Sequence, residues 1–450
     1  MNDLSLIPQA RVARPNLHAT IWRWHLYAGL FCIPFILFLS LSGAVYLFKP
    51  QVEAWLDRPY DRVAAEGALL PVEAQVRAAL AAVPGARLST IEVRPDPRDA
   101  ARIGLVRGEQ RLRAYVHPAT GAALKVVDEA DRPMAVVKAI HGELLLGERG
   151  SLLVELAASW AIVMVLSGLY LWWPRGRRRL AGVLYPRLTA RGRLRWRDLH
   201  AVTGVWISLL ALFLLVSGLP WTTVWGEGFR QVRVLTGTAA EQDWSTRRRP
   251  GAMAGGHAEH GAAGAAHGTP GVALAPMKAT ARRLDLPSPV LLSPPRGGSG
   301  PWLLRSDTQN RPKRVTVKLD PASGAVIGRQ DFADRHVIDR VVGYAIAAHE
   351  GQLFGPINQL LGVFTALGLV TVSASGAVMW WRRRPTAISP ADGPSTMRVG
   401  WLLGFAIAVL GLLLPLFGFS VILILLIDRI AERSVAIRKS HREVLRSDGG

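Results

Sequence analysis

Five apolar runs decide what solvent this chain can fold in. They cover residues 26–48, 152–173, 202–224, 357–381 and 401–427, and a helix needs roughly 17 to 25 such residues to cross a bilayer. The chain therefore reads as an integral membrane protein with mainly α structure. A net charge of +21 would point to nucleic acid in a soluble protein. Here the arginines gather beside the ends of the runs, where cytoplasmic loops are enriched in positive charge. No nucleic-acid partner is expected; membrane lipid is.

Residues 174–198 hold nine arginines and one acid, which makes that loop cytoplasmic. Alternation puts Arg11, Arg14 and Arg23 on the same side, together with Arg382, Arg383 and Arg384. The long polar segments then lie outside, in the periplasm of a Gram-negative cell, and the chain in the bacterial inner membrane. The first run is too long for a secretory signal, and no small-x-small cleavage site follows it, so it reads as an uncleaved anchor. The single cysteine, Cys32, lies in that run. This excludes an intrachain disulfide, a cysteine-ligated iron–sulfur cluster and C-x-x-C-H haem attachment. Cys32 reads as a small side chain buried in lipid.

The chain also repeats itself. His25 precedes Ser42-Gly43 by 17 residues, as His200 precedes Ser217-Gly218. His141 precedes Ser167-Gly168 by 26 and Trp172-Trp173 by 31, and His349 stands at the same intervals from Ser375-Gly376 and Trp380-Trp381. Each half also carries a strand–turn–strand signal, "YVHPATGAALKVVDEAD" from Tyr115 and "VKLDPASGAVIGRQDFAD" from Val317, with glycine where a tight turn needs it. Short amphipathic helices are expected upstream, from Pro71 and Pro276. The expected fold is a four-helix core made of two parallel repeats, each with a small outer α+β module, plus a fifth helix.

The expected order is a cytoplasmic N-terminus (1–25), a span (26–48), an outer module (49–150), a span (151–173) and a basic cytoplasmic loop (174–198). A third span (199–224), a second outer module (225–350) with a disordered insertion (237–275), and a fourth span (356–381) follow. A cytoplasmic loop (382–400), a fifth helix (401–427) that crosses once with a kink at Pro415, with a turn back at Pro415 to Gly418 as the alternative, and an outer polar tail (428–450) complete the chain. The insertion is rich in Gly and Ala and contains His257, His260 and His267, a composition that cannot bury a core.

Of eleven histidines, the repeat singles out His25, His200, His141 and His349. The first two stand at one membrane face and the other two at the opposite face. Paired neutral imidazoles on neighbouring helices hold b-type haem, so two haems are expected, with these four as axial ligands. From His25 to Gly43 and from His200 to Gly218 is 18 residues, five turns and about 27 Å of rise. Gly43 and Gly218 then lie at the depth of the other site, where a missing side chain admits a flat ring close to the backbone. His18, His117, His336 and His441 have no histidine counterpart in the other half and stay unassigned. Glu143 and Glu350 read as solvated helix-surface groups, with cation steering or proton relay as the alternative.

The segments "WHLYAGL", "AIHGELLLGERG", "SGLYLWWPR", "DLHAVTGVW", "AAHEGQLFGPINQ" and "SGAVMWWRRRP", with the two outer hairpins, resemble the PepSY-associated transmembrane family over about residues 18–385. That resemblance implies an inner-membrane haem protein similar to ferric-siderophore reductases, an enzyme that releases Fe(II) from a chelate outside the membrane. No G-x-G-x-x-G unit opens a βαβ pattern, so the electron donor is expected to be quinol or a separate flavoprotein. Two alternatives remain open: a non-redox assembly or peptidase-inhibitory membrane protein, and a metal transport or sensing protein drawing on the histidine-rich insertion.

Overall fold

The computed structural model describes residues 17–64, 66–174, 180–187, 189–239, 274–295, 299–382 and 400–447. His257, His260 and His267 of the insertion lie outside these residues. The first half runs α1 (Leu17–Tyr46), α2 (Lys49–Asp57), α3 (Val72–Ala82), β1 (Arg87–Val93), β2 (Ala101–Arg107), β3 (Gln110–Val116), β4 (Ala123–Asp128), α4 (Pro133–Glu143) and α5 (Gly147–Trp172). The second runs α6 (Gly192–Gly218), α7 (Val224–Leu235), α8 (Leu274–Arg283), β5 (Val290–Ser293), β6 (Trp302–Ser306), β7 (Val315–Leu319), β8 (Val326–Asp331), α9 (Val337–His349) and α10 (Pro356–Trp381). Two further helices follow, α11 (Trp401–Leu413) and α12 (Pro415–Ser447).

Among the described residues, four helical segments are long and apolar enough to cross a membrane: Leu17–Tyr46, Gly147–Trp172, Gly192–Trp221 and Pro356–Trp381. Their outward side chains are apolar, Leu209 at 77% exposure among them, as a lipid solvent requires. The chain divides into two units, one from residues 1–35, 156–209 and 371–450 and the other from 36–155 and 210–370.

In the first, helical unit Cys32 is fully buried against α5, its Sγ 3.9 Å from the Ala157 carbonyl, so it faces protein rather than lipid. Asp198 is also fully buried, where the Arg187 guanidinium donates to both of its oxygens at 2.7 Å. The fifth apolar run, expected to kink or turn back at Pro415, is broken there into the two helices α11 and α12. Pro415 has no N–H to continue the ladder, and α11 and α12 meet at two glycines. A Cβ on Gly418 would lie 2.7 Å from the Gly411 carbonyl oxygen, whereas residues seven apart on one straight helix are separated by about 10.5 Å. The 13 residues of α11 reach about 20 Å, short of the roughly 30 Å hydrocarbon core. Trp160 of α5 holds α12, donating to Ser420 Oγ at 3.1 Å and stacking edge-on against Phe417 at 4.9 Å.

The second unit contains the sheet. Both expected hairpins form, with Gly121 and Gly324 at φ 76° and 68° in their turns, but the two α+β modules are not separate. All eight strands make one antiparallel sheet in the order β4-β3-β2-β1-β5-β6-β7-β8. Its centre is the β1–β5 pair, with Ile91 opposite Leu292 and Val93 opposite Val290. Separate modules would each leave an unpaired strand edge; pairing satisfies both. One apolar core spans the junction, formed by Val76 and Ala79 of α3, Met277 and Ala281 of α8, and Ile103, Leu105, Leu304 and Val317 of the strands. Burying such side chains contributes about 1.5–3 kcal/mol for each large one. Glu73 of the first module accepts from the Leu274 and Ala275 amides at 2.6 and 3.2 Å, capping α8 of the second.

Asp57, at the end of α2, ties the helix that follows the first span to the sheet. It accepts from Tyr115 Oη at 2.8 Å and from Arg132 at 3.3 Å, with Arg102 at 3.3 Å and Arg113 at 3.6 Å. Burial alone would raise the carboxyl's pKa, but Arg132, Arg102, the Tyr115 hydroxyl and Arg113 together hold it below its ordinary value. Its stabilisation is thus present above the usual carboxylate range and is lost as pH falls through the depressed folded value. Replacing Asp57 by asparagine should cost about 3–5 kcal/mol, because buried guanidinium groups lose their counter-charge. Thermal melts of variant and parent across the acid range should converge at low pH; a constant gap would show that charge is not the cause.

Candidate functional site

Each unit brings two of the repeat histidines face to face. In the helical unit the rings of His25 on α1 and His200 on α6 have centroids 6.4 Å apart and planes at 87°. In the sheet unit His141, near the end of α4, and His349, the last residue of α9, have centroids 6.5 Å apart and planes at 79°. These spacings have a chemical meaning. An imidazole nitrogen sits about 1.2 Å from its ring centre and a metal–nitrogen bond is about 2.0 Å, so two rings sharing one metal in line have centroids about 6.4 Å apart.

The nitrogen facing the partner is set by what holds the other one. The Nδ1 atom of His25 is 2.9 Å from Ser167 Oγ, and that of His349 is 2.8 Å from Ser217 Oγ. His141 Nδ1 lies 3.0 Å from the Leu39 carbonyl oxygen, and His200 Nδ1 lies 2.9 Å from that of Val372. A carbonyl only accepts, so His141 and His200 carry their proton on Nδ1, leaving the Nε2 lone pair free. Desolvation lowers the pKa of His141, and it lowers that of His349 to about 4 with help from the neighbouring His141. Both rings are neutral at pH 7, the form that donates to a metal.

Local turns deliver the His141–His349 pair. After His141 the chain reverses through Leu144, Leu145 and Gly147, all at positive φ, and after His349 through Gly351 and Gly355. Gly147, the first residue of α5, and Gly355, immediately before α10, each stand six residues after their histidine, where the sequence shows a glycine in both halves. Beyond them the halves differ. In the first, Gly150 packs directly on the Glu143 carbonyl, leaving no room for a Cβ. In the second, Asn358 bridges the turn, donating to the Ala348 carbonyl at 2.9 Å and accepting from the Leu353 amide at 3.2 Å.

Gly43 and Gly218 each face a histidine of this pair. A Cβ on Gly43 would lie 2.9 Å from His141 Cε1, and one on Gly218 would lie 3.5 Å from His349 Cε1. The unassigned histidines do other things. His117 Nδ1 accepts from the Ala119 and Thr120 amides at 3.3 and 3.2 Å, as Asp320 does from Ala322 and Ser323 in the second hairpin at 3.1 and 2.8 Å. His336 caps α9 through the Ile338 amide at 3.2 Å. The His18 ring packs 6.3 Å from that of Tyr170. Glu143 is buried rather than solvated, and Glu350 stands 3.9 Å from Arg311.

Among the described residues no group of three or more His, Cys, Asp or Glu could hold a metal ion. Two imidazoles alone leave a zinc ion short of its usual protein ligands, whereas they complete the axial set of an iron already held by a macrocycle. Sequence reasoning did not find the serines as histidine partners; the signal was the recurrence of a serine before every one of the four glycines. No curated protein matches the chain. The family model for the PepSY-associated TM region matches residues 22–383, well over half of the 450 residues, and the chain belongs to that family.

Proposed function

We propose that the chain is a membrane electron carrier that reduces a ferric chelate, such as a ferric siderophore, at its outer face. His25 and His200 would hold one b-type haem, and His141 and His349 a second. The observation that carries this reading is the spacing of the two imidazole pairs, 6.4 and 6.5 Å, each in the range that one six-coordinate iron needs. When bound, each haem supplies a one-electron iron couple.

The chain's own residues supply the rest. The four imidazoles arrive from four helices, and each pair takes one ring from each half, so that both halves must fold before either site exists. The arginines of the 174–198 loop set the inner side. The outer sheet offers the surface against which a chelate rests, and each Fe(III) takes one electron. Weak binding of Fe(II) by hard oxygen ligands then favours release. The electrons come from quinol or a separate flavoprotein, and the location is the inner membrane of a bacterium.

The purified chain should show a Soret band, with α and β bands on reduction, and two haems per molecule. The reduced protein should be reoxidised by an Fe(III) chelate, with the iron captured by a ferrous-specific chelator. Absence of haem would favour a non-redox assembly role or metal transport. Haem without reoxidation by any ferric chelate would remove the acceptor and leave the electron carrier.

A further inference from the structure

The four histidines share one feature beyond their pairing. Every one of them docks on a Ser-Gly pair of the antiparallel helix in its own half: His25 on Ser167-Gly168, His141 on Ser42-Gly43, His200 on Ser375-Gly376 and His349 on Ser217-Gly218. The Nδ1–Oγ distances are 2.9, 3.2, 3.3 and 2.8 Å. A Cβ built on the four glycines would lie 3.2, 2.9, 3.4 and 3.5 Å from the Cε1 of the docked ring.

Backbone carbonyls, which can only accept, place the ring proton of His141 and His200 on Nδ1. Each serine hydroxyl also reaches a carbonyl of its own helix: Ser42 that of Phe38, Ser167 that of Met164, Ser217 that of Leu214 and Ser375 that of Thr371. With the hydroxyl proton on that carbonyl, Oγ accepts from the imidazole, and His25 and His349 then carry the ring proton on Nδ1 as well. The glycine has a separate task. A helical side chain covers the turn N-terminal to its own Cα, so a residue larger than glycine would screen the carbonyl four positions earlier. Those carbonyls belong to Leu39, Leu214 and Val372 where the ring also bonds to backbone.

Resting on the haem reading above, we infer that each Ser-Gly pair is a histidine cradle. Ser42, Ser167, Ser217 and Ser375 are positioning residues that aim Nε2 at the iron and set its donor strength, and Gly43, Gly168, Gly218 and Gly376 admit the ring. An acceptor on Nδ1–H makes the imidazole a stronger donor, which favours Fe(III) and lowers the reduction potential. Serine matters most at His25 and His349, where it gives the two shortest Nδ1–Oγ contacts.

The test uses the full chain in detergent, loaded with haem b, as Ser167→Ala and Ser217→Ala with Ser→Thr at the same positions. Each alanine variant should keep two haems while the potential of one haem rises, the inner haem for Ser167 and the outer for Ser217; threonine should restore it. Unchanged potentials at full haem content would overturn the inference. The haem-free chain gives an independent readout, because nitrogen-15 spectra of its histidines at neutral pH should show these four protonated on Nδ1. Protons on Nε2 would sink the cradle whatever the haem content. A chain that never takes up haem yet shows the Nδ1 tautomers keeps the cradle and loses the haem reading.

Discussion

Replacing His349 with alanine is expected to leave one haem per chain instead of two, and replacing His141 should remove the same haem. Both rings face one another across a 6.5 Å centroid distance, so on the proposed haem reading either substitution would take away half of one ligand pair. Loss of an outer hydrogen-bond partner alone costs about 10–100-fold in metal affinity; loss of the ligand itself should exceed that and empty the site on purification. His25→Ala and His200→Ala should do likewise to the other haem. Haem-to-protein ratios and redox titrations of the four variants check this, and two full haems in any of them would refute the ligand assignment. His117→Ala and His336→Ala serve as controls. Their rings accept from backbone amides of a turn and of the start of α9, so these variants should cost about 0.5–2 kcal/mol of stability and keep both haems.

The spans were legible because a bilayer imposes a length on every crossing helix, and the repeat singled out four histidines that stand in two pairs. The two hairpins were legible because Pro-Ala-Thr/Ser-Gly is a local signal. What escaped was non-local. Nothing within β1 or β5 announces that they pair with each other across some two hundred residues, and only the cost of two open edges accounts for it. The serine partners are not those that the linear intervals link. His141 and Ser167 recur at a fixed spacing, yet Ser167 holds His25 and His141 lies against Ser42. An antiparallel pair of helices puts the start of one beside the end of the other, which exchanges the partners. Pro415 was visible, but whether it kinks or folds the run depends on Gly411 and Gly418 meeting, a property of packing.

Gly43→Ala should lower occupancy of the outer haem while Gly218→Ala leaves it close to full, although the two glycines occupy equivalent places in the repeat. A Cβ at Gly43 falls 2.9 Å from His141 Cε1 and 3.3 Å from its Nδ1, closer than such atoms approach, so the ring or its helix must move. His141 has little freedom to yield, since Nδ1 is bonded to the Leu39 carbonyl at 3.0 Å and α4 is followed by a turn locked where Gly150 meets the Glu143 carbonyl. At Gly218 the same atom would sit 3.5 Å from His349 Cε1, an ordinary van der Waals contact. Leucine at either position would fill the space of the ring, and both leucine variants should lose the outer haem while the inner one stays. Spectra and haem content of the four variants distinguish these outcomes. Equal tolerance of alanine at both glycines would mean that His141 reaches the iron in another orientation, and loss of the inner haem in a Gly43 variant would mean that the two sites do not fold independently.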